Sequence, residues 1–229
     1  GNNERGWSAP LAIGGTILPT LISPNAWPGG DGWVKQASDG WGFLPVRQET
    51  YDLYSDNDTR RAATCWDCRG MGTDGDADDT RYQDTGLWLA KYRPFTENNA
   101  DAGFDTNLNY NNNYRFYRVA EAYLNAAELL LETGGDAGLA KDYVNKIRRR
   151  AGIAELGAVT LDDVINERRL EFVGEGKRYF DLVRTGKAAT VLVPDSYGYR
   201  TNSWTESKKY IPIAQAELDS DPALVQNNY

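Results

Sequence analysis

The stretch Thr160 to Gly186, TLDDVINERRLEFVGEGKRYFDLVRTG, decides how this chain is read. Leu161, Val164, Ile165 and Phe172 recur at helical spacing and mark one face of an amphipathic helix. Arg168, Glu171, Glu175 and Arg178 continue that face in steps of three and four. The inner stripe is therefore charged where a core helix should be apolar. An unpartnered buried charge is too costly to keep, so these side chains must be paired or must do chemistry. One reading makes Glu171 and Glu175 the acid and base of a glycosidase, with Asp162, Asp163 and Asp181 as further carboxylates. Against it, Arg168 precedes Glu171 by three residues and Arg178 follows Glu175 by three. Such neighbours keep a carboxylate ionised, whereas a general acid needs its pKa raised. The two glutamates also share one helical side, while glycosidase carboxylates face each other across the sugar. The expectation is a buried ion-pair network of Arg168, Glu171, Glu175, Arg178 and Asp181 that locks helix packing.

Composition narrows the function classes. At 229 residues the chain is long enough for one large domain or two small ones. A net charge of −8 argues against nucleic acid, whose phosphates need a basic surface. The absence of histidine removes His-based triads and His metal sites. No run is apolar enough to span a bilayer and the first residues do not resemble a signal peptide, so the chain is cytosolic or has lost an N-terminal piece. Cys65 and Cys68 form CWDC, with no second pair to complete a zinc site and no βαβ frame for a thioredoxin-type one. A local disulfide or two free thiols is expected.

The chain divides near residue 113. Residues 1–113 are rich in Gly, Pro, Asn and Asp and read as loops with short strands, interrupted by a short helix at Glu49–Tyr54 and a strand at Leu87–Tyr92. Residues 114–229 turn helical. Phe116, Val119, Ala120, Tyr123, Ala127, Leu130 and Leu131 form one stripe; Ala140, Tyr143, Val144, Ile147 and Ala151 form a second. Gly134 and Gly135 end the first helix and Asp136 caps the next, giving an αα-hairpin like one tetratricopeptide repeat. Such units are rarely stable singly, which implies neighbours elsewhere. After the charged helix, KKYIPI reads as strand-like.

Several blocks together carry a resemblance. ERRLEFVGEGKRYFDLVRTGK resembles the C-terminal signature of the SusD/RagB family of outer-membrane nutrient-binding lipoproteins, matched at Glu167, Arg168, Arg169, Glu171, Glu175, Gly176, Arg178, Asp181, Leu182 and Arg184. YRVAEAYLNAAELLLETG, KIRRRAGI and IPIAQAELDSDPALVQNNY are similar to three further family blocks, the last departing at Asp221 and Asn228. Upstream, DGWGFLPVRQETYDLYSDNDTRRAAT is similar to a fifth. The resemblance implies a mainly α fold of tetratricopeptide-like hairpins with a loop-rich, small-strand-containing subdomain. It implies no catalytic residues, and binding of a glycan or, less often, a peptide at the cell surface. It further implies a SusC-like, TonB-dependent transporter as partner and a lipid anchor in the outer membrane. A full member is about twice as long, so the anchor and first repeats are expected on a missing N-terminal part of the same protein.

Sugars lay their C–H faces on aromatic rings while amides and acids take the hydroxyls. Trp7, Trp27, Trp33, Trp41, Trp66 and Trp88 all precede residue 113. Trp27 and Trp33 rank first because they flank the flexible turn PGGDG, with Asn25 and Asp31 as polar partners. Trp66 and Trp88 are further candidates, whereas Trp41 lies in a family block and reads as structural. The run DGDADD sets carboxylates at alternate positions, as a calcium loop does, but its sixth position is Asp79, not glycine, and its twelfth is Thr85, not glutamate. A solvated acidic loop is expected, with Asp74, Asp76 and Asp78 as calcium candidates and otherwise no cofactor. Arg148, Arg149 and Arg150 read as complementing a helix C-terminus.

Overall fold

A computed structural model describes residues 41–70, 83–92, 110, 115–196 and 198–228. In chain order its elements are α1 (Gln48–Tyr51), α2 (Arg60–Thr64), β1 (Cys65–Asp67), β2 (Leu87–Leu89), α3 (Val119–Glu132), α4 (Ala137–Arg150), α5 (Leu161–Glu171), α6 (Arg178–Arg184), α7 (Ala188–Val191), a 3-10 turn (Glu206–Lys209) and α8 (Gln215–Ser220). They fall into two compact units, one running to Glu175 and one starting at Gly176. The compositional change near residue 113 lies inside the first. No helix among the described residues is long and apolar enough to cross a membrane.

Helices α3 and α4 form the expected hairpin. Gly134 takes the left-handed φ of 67° that ends α3, and the Asp136 carboxylate accepts the Leu139 N–H at 3.0 Å to start α4. The core between α3, α4 and α5 holds Ala120, Leu124, Ala127, Ala140, Val144, Ile147, Val159, Val164 and Phe172. The α4 stripe is as the periodicity predicts, and the α3 stripe holds at Ala120, Tyr123, Ala127, Leu130 and Leu131 but not at its first two residues. Phe116 and Val119 are 64% and 67% exposed, while Leu124 and the carboxylate residues Glu121 and Glu128 are buried. The helix starts only at Val119, so Phe116 lies outside its periodicity. Asn145 ties the following loop to α4, donating to the Leu156 carbonyl at 3.0 Å and accepting its N–H at 2.9 Å.

Thr160 opens α5 with a capping box, its hydroxyl accepting from the Asp163 N–H while Asp163 accepts from the Thr160 N–H at 2.8 Å. Leu161, in the first turn, is half exposed; Val164, Ile165 and Phe172 point inward. The helix ends before Gly174, whose φ of 78° excludes most side chains, and the Leu89 side chain lies where a Cβ would project. Thus the glycine that interrupts the charged face also lets it close against β2.

The strands β1 and β2 pair antiparallel, with Cys65 opposite Leu89, Trp66 opposite Trp88 and Asp67 opposite Leu87. Alternation sends the residues of this hairpin to two cores. Cys65, Leu87 and Leu89 join Val46, Tyr54 and Tyr92; Trp66, Cys68, Trp88 and Ala90 form the other. Both cysteines are free and buried. They occupy different faces, and three residues of extended chain span about 10 Å, beyond the roughly 7 Å limit for a bridge.

In the second unit, KKYIPI is not a strand. Lys208 and Lys209 belong to the 3-10 turn, Tyr210 and Ile211 are exposed, and no strand lies beside them among the described residues. Side-chain amides serve the backbone instead. Gln226 accepts the Ile213 N–H and donates to its carbonyl, both at 2.9 Å, and Asn227 donates to the Ile211 carbonyl at 2.8 Å. The Tyr179 hydroxyl donates to the Lys208 carbonyl and accepts from the Trp204 indole.

The placement of the thiols has a direct test. Burial pushes the Cys65 thiol up to about 12, so neither nucleophilicity nor access favours reaction. A disulfide-exchange reagent is expected to label neither cysteine in the native protein and both after denaturation, with no mass change on prior reduction.

Candidate functional site

The charged face of α5 is the most densely organised part of the first unit. Glu167, Glu171 and Glu175 succeed one another at four-residue steps, each at most 5% exposed. Their cations arrive from segments far away in sequence. Glu167 receives Arg60 at 2.6 Å and Arg148 at 2.9 Å. Glu171 receives Arg150 at 2.5 Å, Arg118 at 2.6 Å and Arg60 at 3.3 Å. Glu175 receives Lys91 at 2.7 Å and a two-pronged contact from Arg118, at 2.8 and 2.9 Å. Lys91 and Arg118 also donate to the Glu171 carbonyl, at 2.7 and 2.8 Å, satisfying a backbone group at the end of α5. Asp58 holds Arg60 in a second fork, at 3.0 and 2.7 Å.

Local chemistry explains why these cations reach the face. Arg118 is the N-cap of α3 with extended backbone, and its guanidinium lies over the Phe172 ring, 4.7 Å from the centroid. Arg148 and Arg150 lie in the last turn of α4. Arg60 opens α2, whose approach is fixed by the Thr59 N–H donating to the Ala151 carbonyl at 3.0 Å. Lys91 follows β2, held beside α2 by the Ala90 N–H on the Thr64 carbonyl at 2.7 Å.

The electrostatics follow from this crowding. Burial alone would raise the Glu171 pKa, but hydrogen bonds from Arg150 and Arg118 outweigh it and hold the carboxyl below its ordinary value. Glu175 is likewise lowered, with Arg118 and Lys91 overcoming burial. Burial depresses the Lys91 ammonium despite Glu175 beside it. At Arg118 the two glutamates outweigh burial and raise the guanidinium.

Glu171 and Glu175 thus sit in a buried ion-pair network whose cations include residues brought from distant segments. Arg168 reaches Asn125 at 2.6 Å and Glu121 at 3.8 Å. Asp181 belongs to the second unit, where Arg184 donates to it at 2.8 and 3.0 Å. Arg178 opens α6 of that unit. The arginines of the α4 end do more than complement a dipole, since Arg148 and Arg150 belong to the ladder and Arg149 pairs with Glu155 at 2.8 Å. Arg60, Lys91 and Arg118 carry no local signal of this role, because their carboxylates lie 53 to 111 residues away.

The ligand candidates are placed differently. Trp66 and Trp88 are 4% and 1% exposed and face each other across the hairpin, so neither ring offers a face to a sugar. This corrects their reading as ligand residues: strand alternation puts both on one inner face. Trp41 is 46% exposed and tilts against Phe43, with 5.8 Å between ring centroids. Asn25, Trp27, Asp31 and Trp33 lie outside the described residues, as do Asp74, Asp76 and Asp78. Among the described residues no group of three or more His, Cys, Asp or Glu side chains is arranged to hold a metal ion.

A helical hairpin clamped by a buried ladder of ion pairs defines a scaffold, and comparison with known proteins says which. The chain belongs to the SusD family, whose profile matches residues 66–229. It is similar to surface glycan-binding protein A from Bacteroides uniformis, with 62% identity and a TM-score of 0.82 over 93% of this chain and 47% of that one. Surface glycan-binding protein A from Bacteroides thetaiotaomicron, solved in complex with laminarihexaose, is 55% identical with a TM-score of 0.85, over 98% of this chain and 49% of that one. The starch-binding protein SusD of Bacteroides thetaiotaomicron is 34% identical over 48% of this chain and 20% of its own length. This chain thus spans about half the length of the two solved relatives, and its match to starch-binding SusD covers a fifth of that protein.

Two predictions test the ladder. Glu171→Gln leaves three cations facing a neutral amide and should destabilise the first unit by about 3–5 kcal/mol in urea unfolding, whereas Arg149→Ala on the surface should leave the midpoint unchanged. Because the folded pKa values of Glu171 and Glu175 are lowered, their stabilisation is complete above the ordinary glutamate value of 4.5 and is lost as pH falls through the folded values. The urea midpoint should accordingly be flat above about pH 5 and fall steeply below about pH 4.

Proposed function

We propose that this protein is a surface glycan-binding protein without catalytic activity, taking oligosaccharides of the laminarin type and passing them to a SusC-like, TonB-dependent transporter of the outer membrane. The observation that carries the reading is the 55% identity, over 98% of this chain, to a glycan-binding protein solved with laminarihexaose. Family membership supports placement at the cell surface through a lipid anchor. The absence of hydrolysis is supported by the ladder itself. Glu171 and Glu175, the paired carboxylates the sequence offers as acid and base, are buried and kept ionised by arginine and lysine, the opposite of what a general acid requires. With Trp66 and Trp88 in the core, ligand stacking falls to Trp27 and Trp33, assisted by Asn25 and Asp31.

Calorimetry of the full-length protein is expected to show saturable binding of laminarihexaose, with no shorter oligosaccharide released on prolonged incubation. Joint Trp27→Ala and Trp33→Ala substitution should weaken that binding by roughly tenfold or more, since each aromatic stacking contact contributes about 1 kcal/mol. Binding of a peptide but of no glycan, or appearance of shorter sugars, would contradict the proposal.

A further inference from the structure

The ladder borders an open cavity of about 410 Å³, within the range of small-ligand sites. Its lining contains no tryptophan among the described residues, so these do not suit a neutral sugar held by stacking. Its charge is unbalanced. Arg60 is already occupied by Asp58 and Glu167. Among the described residues Lys91, Arg115, Arg118 and Arg150 remain around the cavity and Glu171 and Glu175 answer them, four positive charges against two negative. In a chain of net charge −8, such a local excess is not the background of a basic surface.

Two of these cations have donors to spare. Arg150 makes one contact, to Glu171, and its side chain is 55% exposed. Arg115 makes no ion pair among the described residues; its guanidinium rests on the Tyr92 ring, 5.8 Å from the centroid. An added anion would favour the charged form of Lys91, which burial disfavours.

We propose that this cavity binds a small oxyanion, a carboxylate, phosphate or sulfate group, received by Arg115 and Arg150 at its mouth with Lys91 and Arg118 behind them. Planar guanidinium groups suit such anions, offering paired N–H donors as well as charge. The inference is independent of the laminarin reading, because it concerns a different set of residues and a charged rather than a stacked ligand.

The test is calorimetric titration of the full-length protein at constant ionic strength with inorganic phosphate, glucuronate and uncharged glucose. Phosphate is expected to saturate a single site and glucose to give no signal. Saturation by glucuronate as well identifies a sugar-borne carboxylate as an acceptable ligand; saturation by phosphate alone supports a free oxyanion. Arg115→Ala, which removes no ion pair, should weaken binding by roughly tenfold or more while leaving the thermal unfolding profile and laminarihexaose binding unchanged. Arg115→Lys should recover part of the affinity, and Arg149→Ala should behave as the unaltered protein. Absence of saturable phosphate and glucuronate binding, or equal affinity in Arg115→Ala, overturns the proposal.

Discussion

Three glutamates buried on one helix and the turn that follows it cannot stay charged without cations, and the first unit is arranged around supplying them. Glu167, Glu171 and Glu175 draw Arg60 from α2, Lys91 from the end of β2, Arg118 from the start of α3, and Arg148 and Arg150 from the end of α4. No two of these four segments share a local turn. Each must be in register before the desolvation of the carboxylates is compensated. We read the ladder as a device for register more than for net stability: the apolar core of α3, α4 and α5 drives burial, and the ladder admits one arrangement of it. Arg118 is central, because a single guanidinium joins Glu171, Glu175 and the last turn of α5.

Much of the local structure was legible in the sequence. The hairpin followed from period and punctuation, with Gly134 and Asp136 acting as their chemistry requires. The signature stretch announced a charged interior, and its family resemblance named the scaffold. What spacing could not tell was who pairs with whom. Periodicity ranks neighbours within one helix, so it offered Arg168 and Arg178, whereas Arg60, Lys91, Arg118 and Arg150 are brought in by tertiary folding. The same limit explains α3: the apolar pattern suggested a stripe through Phe116 and Val119, but buried Glu121 and Glu128 belong to the inner face. Trp66 and Trp88 were misplaced for a related reason. A three-residue strand such as Cys65–Asp67 is too short to show alternation, and without its register a tryptophan in a polar stretch looks like a surface ring.

For function, the consequence is a separation between the distinctive charges and the proposed sugar contacts. The glutamates that drew attention first are occupied by arginine and lysine from distant segments. Tryptophans on the hairpin build the core that holds β1 against β2, leaving sugar recognition, in the proposed reading, to Trp27 and Trp33. Beside the ladder, Arg115 pairs with none of its carboxylates among the described residues and Arg150 with one.

The central claim is that ion pairs from distant segments hold the charged face together. A double-mutant cycle on Arg118→Met and Glu171→Gln, read by urea unfolding at neutral pH, tests it most directly. The pair is expected to show a coupling energy above about 1 kcal/mol, while Arg149→Met with Glu171→Gln should be additive within about 0.5 kcal/mol. Additivity at Arg118 would contradict the account.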